Sequence, residues 1–572
     1  MVSEFGFEIW ERFRYYFDVK TKNCSRPILD RRRFLTAASA SMACVFWPRI
    51  LRAAVSGAPP TNDPLAQFKL AWTGQIQWTN VLDITQVRGQ DVMEKLANAQ
   101  AQLANRGGGV IYFPPGVYQI TDTILLKNGI VLRGADPSPV ARAQDDSYAP
   151  PSRLEFPRYH FVAEGNGTPI TTAFKGIALE DPATASNCGV VNLDLNCGHI
   201  YFGETAEHTC GRNRFVFGCR LRNAALPNRE VPDLAIGQKP WQRYTATWDR
   251  SAIQVFSAEN ALIANNRLPR SGEANFTMNG YLMLDRAKKL VSVDGVVFDY
   301  DNRAGIYLNH YGIGGPGGQG PDGTPETHPY GFRKGLVIRD NYVFNTGRCA
   351  IGFCGDGVVC SGNVIRFARD VWRPTVTGRH ISHGASTNDN RAIEMRGWRW
   401  VVEGNDYEVH RNICFDRKFP INDGEGLMHE DHVNSTVKDS ILRNNRGNAY
   451  LSIYHTAGID GLLIDGNEIN IDQAASSEPA IHVTACRTND PFPCRNVRII
   501  NNTVNRGILI SGVPGENNLI RGNKAVGQTP LKIQNQAAAT VQENEGFEVD
   551  NSPWMSANER KAQQRSQQKK KG

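Results

Sequence analysis

The chain has 572 residues, of which 41% are hydrophobic and 21% charged, a composition typical of soluble globular proteins. Its formal net charge is +7, but the excess lies at the two ends: residues 1–58 carry ten Lys/Arg against five Asp/Glu, and residues 559–572 carry six against one. Residues 59–558 therefore carry a net charge of −3. A body this close to neutral lacks the basic surface of a nucleic-acid-binding protein, so no nucleic-acid partner is predicted.

The N-terminal part contains a sequence typical of an export signal. The run RRRFL at residues 31–35 precedes a short apolar stretch rich in Ala and Ser, and it resembles a twin-arginine signal. The stretch is too short to span a membrane. Residues 1–58 are therefore predicted to be a leader whose removal leaves no integral membrane segment, with the protein in the periplasm or outside the cell. Export permits disulfides, but the cysteine spacing leaves open whether the thiols are bridged or free in the core.

A repeat of about 22 residues runs through the chain. Its unit is a run of β-branched or Leu residues, two polar or small residues, an Asn, and a second short β-rich run. The Asn positions are 22 apart at Asn341 and Asn363, 22 apart at Asn445 and Asn467, and 21 apart at Asn502 and Asn523. Short strands at this period predict a solenoid, and the missing Leu spacing and helices exclude a leucine-rich repeat.

The solenoid that fits this unit is an all-β parallel β-helix. Each coil would give one strand to each of about three parallel sheets, with short turns between them. The Asn lies where the chain bends, so it is expected to adopt left-handed backbone angles and to stack into a hydrogen-bonded ladder. The β-helix is predicted over residues 105–546, followed by a disordered basic tail over 547–572.

The start of the array needs a cap, because the core of the first coil would otherwise face water. In residues 89–104, Val92, Leu96 and Leu103 fall on one stripe of a helix. The segment 59–104 is therefore predicted to contain an N-terminal α-helical cap.

The cap, the stretch GGGVIYFPPGVY at 107–118, the stretch LLKNGIVLRG at 125–134 and the Asn units together resemble the pectate-lyase superfamily of right-handed parallel β-helix proteins. The resemblance covers roughly residues 85–530. It implies a right-handed coil, and that superfamily includes pectate lyases, polygalacturonases, other polysaccharide lyases and hydrolases, and phage tailspikes. The polygalacturonase pattern of Asn-Thr-Asp, paired Asp and Gly-His-Gly is absent, so the resemblance specifies the fold and not the reaction.

Residues 380–455 depart from the clean repeat and concentrate titratable groups. Six of the twelve histidines lie there, together with several carboxylates. Such clusters are where shifted pKa values and catalysis are concentrated. A Gly/Pro-rich insertion at 310–331 also breaks the repeat and is expected to form one wall of a groove.

Alternation along the predicted strands orients the candidate side chains. If Ile393 and Met395 face the core, Glu394 and Arg396 face outward. By the same reasoning around Leu451 and Ile453, the outward residues are Tyr450, Ser452 and Tyr454. One period of 22 residues earlier, Glu430 falls beside Ser452 and His432 beside Tyr454. The predicted catalytic residues are Glu394, Arg396, Glu430, His432 and Tyr454.

Neighbouring residues are predicted to bind substrate or a cation. The substrate-binding set is Arg391, Trp398, Ser452 and His455. Trp398 offers a ring that can stack on a sugar. Asp423 and Glu425, each followed by a glycine, offer oxygen ligands that suit Ca²⁺ or sugar hydroxyls. No organic cofactor is predicted.

Two reactions and one binding role fit these residues. A polysaccharide lyase needs a base beside the uronate carboxylate and a positive charge to neutralise that carboxylate. A glycoside hydrolase needs two carboxylates flanking the glycosidic bond. His432, Tyr454, Arg391 and Arg396 favour β-elimination on an acidic polysaccharide. Hydrolysis by the paired carboxylates, and glycan binding without cleavage, stay open.

Overall fold

The computed structural model describes most of the chain from residue 59 onward. The described ranges are 59–138, 147–157, 161–162, 171–172, 176–202, 211–222, 252–255, 259–268, 306–308, 334–344, 349–366, 391–408, 436–456, 458–471, 479–485, 493–553 and 555. All of them belong to the compact unit that begins at Ser56.

The short strands foreseen from the repeat pair in parallel along two sides of a solenoid. In the described ranges, sheet A has fourteen strands: β1 (Val81–Asp83), β2 (Gly109–Phe113), β5 (Ile130–Gly134), β10 (Cys188–Val191), β13 (Arg212–Phe217), β16 (Glu259–Ala264), β19 (Leu336–Arg339), β22 (Val359–Ser361), β25 (Val401–Glu403), β27 (Thr436–Arg443), β30 (Gly458–Asp465), β33 (Cys494–Ile500), β36 (Leu519–Arg521) and β39 (Thr540–Gln542). Sheet B has twelve: β3 (Gly116–Gln119), β6 (Ser152–Glu155), β11 (Asp194–Asn196), β14 (Arg220–Arg222), β17 (Arg267–Leu268), β20 (Tyr342–Phe344), β23 (Val364–Arg366), β26 (Asp406–Glu408), β28 (Arg446–Gly447), β31 (Glu468–Ile469), β34 (Thr503–Val504) and β37 (Lys524–Ala525).

The third side is built from two further parallel sheets. Across the described residues, sheet C has seven strands: β4 (Ile124–Leu126), β9 (Gly176–Leu179), β12 (His199–Phe202), β15 (Ile253–Val255), β18 (Ile306–Leu308), β21 (Cys349–Asp356) and β24 (Arg391–Trp398). Sheet D has five: β29 (Leu451–Thr456), β32 (Ile481–Ala485), β35 (Ile508–Gly512), β38 (Leu531–Asn535) and β40 (Phe547–Asp550). A separate antiparallel pair is formed by β7 (Phe161–Val162) and β8 (Thr171–Thr172).

The order of these strands confirms the predicted fold class. The chain passes from sheet A to sheet B, then to the third side, and returns to sheet A beside the strand it left. This is a parallel β-helix, and its coil is right-handed, as crossovers between parallel strands are in nearly all proteins. The last strand, β40, ends at Asp550, four residues beyond the predicted boundary at 546.

The core runs along the inside of the coil and consists of aliphatic columns. On the third side one column contains the buried Ile124, Ile177, Ile200, Ile253, Ile351 and Ile393. Burial of apolar area on this scale is the dominant stabilising term of a solenoid. Three cysteines, Cys188, Cys219 and Cys360, are buried there as free thiols.

The repeated Asn residues form the ladder that the sequence predicts. Each side-chain Nδ2 donates to the Oδ1 of the Asn in the next coil at 2.9–3.0 Å. Within the described part of the chain, the ladder comprises Asn266, Asn341, Asn363, Asn405, Asn445, Asn467, Asn502, Asn523 and Asn544. All but the last are buried, so the ladder satisfies amide groups that water does not reach.

The backbone of the ladder corrects one prediction. The left-handed residue is not the ladder Asn but the residue before it, with φ of 53° at Asn265 and 55° at Asn444. Glycine takes the same place in other coils, as at Gly362 and Gly404. The first residue of the turn therefore adopts the left-handed backbone angles. The second residue is the ladder Asn, and its side-chain amide points along the coil axis to the next coil.

The predicted cap helix is confirmed as α1 (Val92–Ala104). Asp91 caps its first turn, because its carboxylate accepts from the Glu94 N–H at 2.8 Å. Leu96 and Leu103 are buried against the first coil. The glycines that follow are required by close packing: a Cβ at Gly108, where φ is +108°, would lie 2.6 Å from the Gly129 carbonyl oxygen.

The segment before the cap covers the outer face of sheet A, which the sequence did not indicate. It contains three short 3₁₀ helices (Ala66–Phe68, Ala71–Gln75 and Ile84–Gln86). Trp72 and Trp78 pack on Phe215 with ring centroids 6.0 and 5.7 Å away. The buried Arg133 guanidinium donates from Nη1 to the Asn62 carbonyl at 2.8 Å. The segment 62–91 is thus part of the folded body.

In the described part of the chain there is no helix that is both long enough and apolar enough to cross a membrane.

Candidate functional site

The third side carries a line of outward-facing residues that the strand register defines. On β24, Ile393 and Met395 are fully buried in the core, so alternation places Glu394 on the outer face of the strand. The positions aligned with Glu394 across sheet C are Leu125, Ala178, Tyr201, Gln254, Tyr307 and Gly352. In sheet D the corresponding outward positions are Ser452, His482, Leu509, Gln534 and Asp550. These twelve residues are called the outer line below.

Exposure along the outer line is uneven. Leu125, at the N-terminal end, is 49% exposed, and Gln534, near the other end, is half-buried. Between them Gln254 and Glu394 are 0% exposed and Ser452 is 1% exposed. Outward positions of a β-helix ordinarily face water, so polar side chains on this stretch are removed from solvent without belonging to the core.

Two residues of the buried stretch hold polar atoms that the protein does not satisfy. Considering only the described residues, neither Nε2 nor Oε1 of Gln254 has a hydrogen-bond partner, and the same holds for the Ser452 Oγ. A buried polar group without a partner destabilises the folded state by about 1–3 kcal/mol. Such atoms are suited to bind the hydroxyl or carboxyl groups of a ligand.

Glu394 is paired with a glycine on the neighbouring strand. Its partner on β21 is Gly352, which has no side chain, and Gly352 in turn is aligned with Tyr307. On this face, therefore, the β21 position paired with Glu394 contributes no side chain. Arg396 occupies the next position of the same parity on β24, and Arg391 begins that strand.

Sequence reasoning overlooked His482, which the register places directly beside Ser452. Burial lowers the pKa of His482 to about 4, so the imidazole is neutral at ordinary pH. A base with so low a pKa removes a proton from carbon weakly, whereas it accepts or donates a hydrogen bond well. The alternation of Ile481, His482 and Val483 indicates an outward histidine. His482 lies outside the histidine-rich residues 380–455, on which the predicted site is based.

Trp398 lies at the corner between β24 and β25. The Lys438 Nζ is 4.4 Å from the centroid of its ring, a cation–π geometry. Next to it, Arg399 donates from Nε to the Asp356 carboxylate at 2.8 Å, and this hydrogen bond raises the pKa of the Arg399 guanidinium. Trp398 is therefore held in an ionic cluster at the edge of the outer line.

The structure places some predicted site residues and leaves others untested. Glu394 and Ser452 lie on the outer line. For Arg391, Arg396, Tyr454 and His455 the strand positions are described and the side chains are not. Outside the described residues lie Asp423, Glu425, Glu430, His432 and the insertion 310–331.

Tyr450 corrects the outward assignment. It is 6% exposed and packs in the main hydrophobic core. It precedes β29, so the strict alternation that holds from Leu451 onward does not extend to it.

Metal binding finds no support among the described residues, where no group of three or more His, Cys, Asp or Glu side chains could hold an ion. The predicted Ca²⁺ ligands Asp423 and Glu425 fall outside that set.

Comparisons with known proteins return likeness in overall structure alone. No family model matches the chain, and no curated protein matches it in sequence. Among solved structures, the surface protein and adhesin PfbA of Streptococcus pneumoniae is 14% identical with a TM-score of 0.34, covering 83% of this chain and 99% of that chain. The mannuronan C-5 epimerase AlgE4 A-module of Azotobacter vinelandii is 11% identical with a TM-score of 0.30, covering 84% and 99%. DFA-IIIase from Arthrobacter chlorophenolicus A6 in complex with DFA-III is 11% identical with a TM-score of 0.33, covering 85% and 88%.

Proposed function

We propose that the protein is exported and acts on carbohydrate, binding it along the outer line between Gln254 and Ser452. The observation that carries this proposal is the burial of outward polar side chains whose polar atoms lack protein partners in the described part of the chain. A sugar presents hydroxyl groups that donate and accept at once, which matches an amide and a hydroxyl. The position paired with Glu394 is Gly352, which has no side chain, and we propose that a sugar ring lies there.

The reaction proposed is β-elimination on an acidic polysaccharide. A base removes the proton from the carbon that bears the uronate carboxylate. The glycosidic carbon–oxygen bond on the neighbouring ring carbon breaks, and a double bond forms between these two carbons. The departing oxygen takes up a proton. Positive charge near the carboxylate stabilises the carbanion-like transition state. Arg391 and Arg396 on β24 are the proposed source of that charge, and His432 and Tyr454 are the proposed base and acid.

A glycoside hydrolase is the second candidate, and the full burial of Glu394 favours it. Hydrolysis needs one carboxyl group as an acid and a second carboxylate across the glycosidic bond. Glu394 would be the first, and Glu430 is the proposed second. The two reactions leave different products: elimination yields an unsaturated sugar end, and hydrolysis yields only saturated reducing ends.

The experiment is an activity screen of the purified protein on uronate-rich and neutral polysaccharides. Two quantities are measured on each sample: the ultraviolet absorbance of unsaturated products and the concentration of new reducing ends. The lyase proposal expects both signals on a uronate polymer, and it expects their loss in Glu394→Gln because the Glu394 carboxylate is proposed to position the sugar ring for the base. The matched control is Glu548→Gln, an exposed carboxylate on β40 at the far end of the solenoid, which is expected to keep full activity.

The outcomes separate the candidates. Reducing ends without absorbance would replace elimination by hydrolysis. Binding of a polysaccharide without either product would make the protein a glycan-binding β-helix. Neither binding nor turnover on any polymer would refute the carbohydrate proposal, and equal loss of activity in both variants would remove Glu394 from the site.

A further inference from the structure

We propose that Gln254 binds the substrate at a distance from Glu394, so that the ligand is an oligosaccharide or a chain segment that spans several coils of the solenoid. The inference rests on the proposed function, because it places a second contact for the same carbohydrate. Gln254 was not a candidate from the sequence, where it is one glutamine in a run of ordinary strand residues.

The distance follows from the strand register. Gln254 is aligned with Tyr307, Tyr307 with Gly352, and Gly352 with Glu394. Three steps between neighbouring parallel strands, each about 4.8 Å, separate the two residues by about 14 Å. A single sugar ring cannot touch both side chains, whereas an oligosaccharide laid along the outer line can.

The state of Gln254 is unusual for a structural residue. Its neighbours Ile253 and Val255 are fully buried in the core and fix the strand, so the amide is held on the outer face. The side chain is 0% exposed, yet in the described part of the chain neither of its amide atoms is hydrogen-bonded. A glutamine retained only for packing would be satisfied or replaced by an apolar residue, since the unpaired amide destabilises the fold.

The position of Gln254 also suggests where the site ends. Toward the N-terminal end of the solenoid, the next residue of the outer line, Tyr201, is half-buried, and the last one, Leu125, is exposed. Gln254 is thus the first fully buried polar residue of the stretch that leads to Glu394. Its amide both donates and accepts hydrogen bonds, so a sugar hydroxyl, which does the same, is the ligand group that satisfies both of its polar atoms.

The test uses the isosteric substitution Gln254→Met, with Gln534→Met as the matched control. Gln534 is also an outward glutamine, but it lies on β38 near the other end of the outer line. Both are made in a Glu394→Gln background, so that binding is measured without turnover. Calorimetry with uronate oligosaccharides of increasing length gives the affinities, and thermal unfolding without ligand gives the stability.

Gln254→Met is expected to weaken binding of oligosaccharides that reach both residues by roughly five- to tenfold, and to leave the shortest ones unchanged. Because methionine removes an unpaired buried amide, the ligand-free melting temperature should rise by a few degrees. Gln534→Met should change neither quantity. Gln254→Ala serves as a second variant if methionine overpacks the site, and the same dependence on length is expected of it.

Three results would overturn the inference. If Gln254→Met and Gln254→Ala leave the affinity unchanged at every length, Gln254 does not bind the ligand although the carbohydrate site stands. If they weaken all lengths equally and lower the melting temperature, Gln254 is structural. If no oligosaccharide binds even without these substitutions, the proposed function itself fails, and the inference fails with it.

Discussion

Replacing Asn405 with alanine should show how much the ladder contributes to stability. The Asn405 Nδ2 donates to the Cys360 carbonyl and to the Asn445 Oδ1, both at 3.0 Å. Its Oδ1 accepts from the backbone N–H and the side-chain Nδ2 of Asn363, both at 2.9 Å. All of these groups are buried, so water cannot replace the lost partner.

The magnitude follows from those four bonds. A buried hydrogen bond contributes a net of about 1 kcal/mol, and leaving its partner unsatisfied costs somewhat more. Asn405→Ala should therefore lower the free energy of unfolding by about 3–5 kcal/mol. Asn544→Ala is the control, because Asn544 also makes four hydrogen bonds at 2.9–3.0 Å, with the Gln542 carbonyl in place of a further ladder Asn, but lies half-buried at the end of the ladder. Water can replace the lost hydrogen-bond partner there, so Asn544→Ala is expected to lower the free energy of unfolding by only about 1 kcal/mol.

The assay is urea unfolding followed by circular dichroism, with thermal unfolding as a second probe. Both variants keep the left-handed residue before the ladder position, so the turn itself is unchanged. A loss in Asn405→Ala within about 0.5 kcal/mol of that in Asn544→Ala would refute the reasoning, because burial of the bonds would then not decide their contribution.

Three further predictions concern other parts of the molecule. Burial lowers the pKa of His482 to about 4, below the usual value near 6.5, so the unfolded chain binds the proton more readily between these values. Stability should be full above about pH 6.5 and fall by about 3 kcal/mol as the pH drops to 4, and His482→Gln should lose this dependence in pH-resolved thermal unfolding. A flat pH profile in the unmodified protein would contradict the burial of the neutral imidazole. Trp72→Ala removes a ring that packs on Phe215, and chemical denaturation should show a loss of about 3 kcal/mol; a loss below about 0.5 kcal/mol would mean that the segment before the cap is not part of the stable fold. Replacing Arg31, Arg32 and Arg33 with lysine should keep the precursor in the cytoplasm in a fractionation assay, and normal export of that variant would exclude a twin-arginine signal.

The solenoid could be predicted because one residue type, Asn, recurs at a fixed position in each repeat. Each coil needs a ladder Asn at one corner, so the spacing of Asn341, Asn363, Asn445 and Asn467 marks the coil length directly. The left-handed position was assigned one residue too late, because the turn is two residues long and both are often Asn or Gly. The covering segment with Trp72 could not be read from the repeat, since it belongs to no coil.

The site was predictable only in part. Alternation gave the outward direction of Glu394 and Ser452, because the parity of a strand depends on its own residues. The burial of Gln254 depends on how the coils are covered, and nothing in its local sequence reports that. Tyr450 was assigned outward because alternation was extended past the end of β29, where the strand geometry no longer holds.

Soaking crystals of the Glu394→Gln variant with a uronate oligosaccharide tests most directly whether the outer line binds carbohydrate. Electron density for successive sugar rings is expected along Gly352, with one end within hydrogen-bond distance of the Gln254 amide. Sugar density on the outer face of sheet A or sheet B, with the stretch from Gln254 to Ser452 empty, would contradict the assignment of the site.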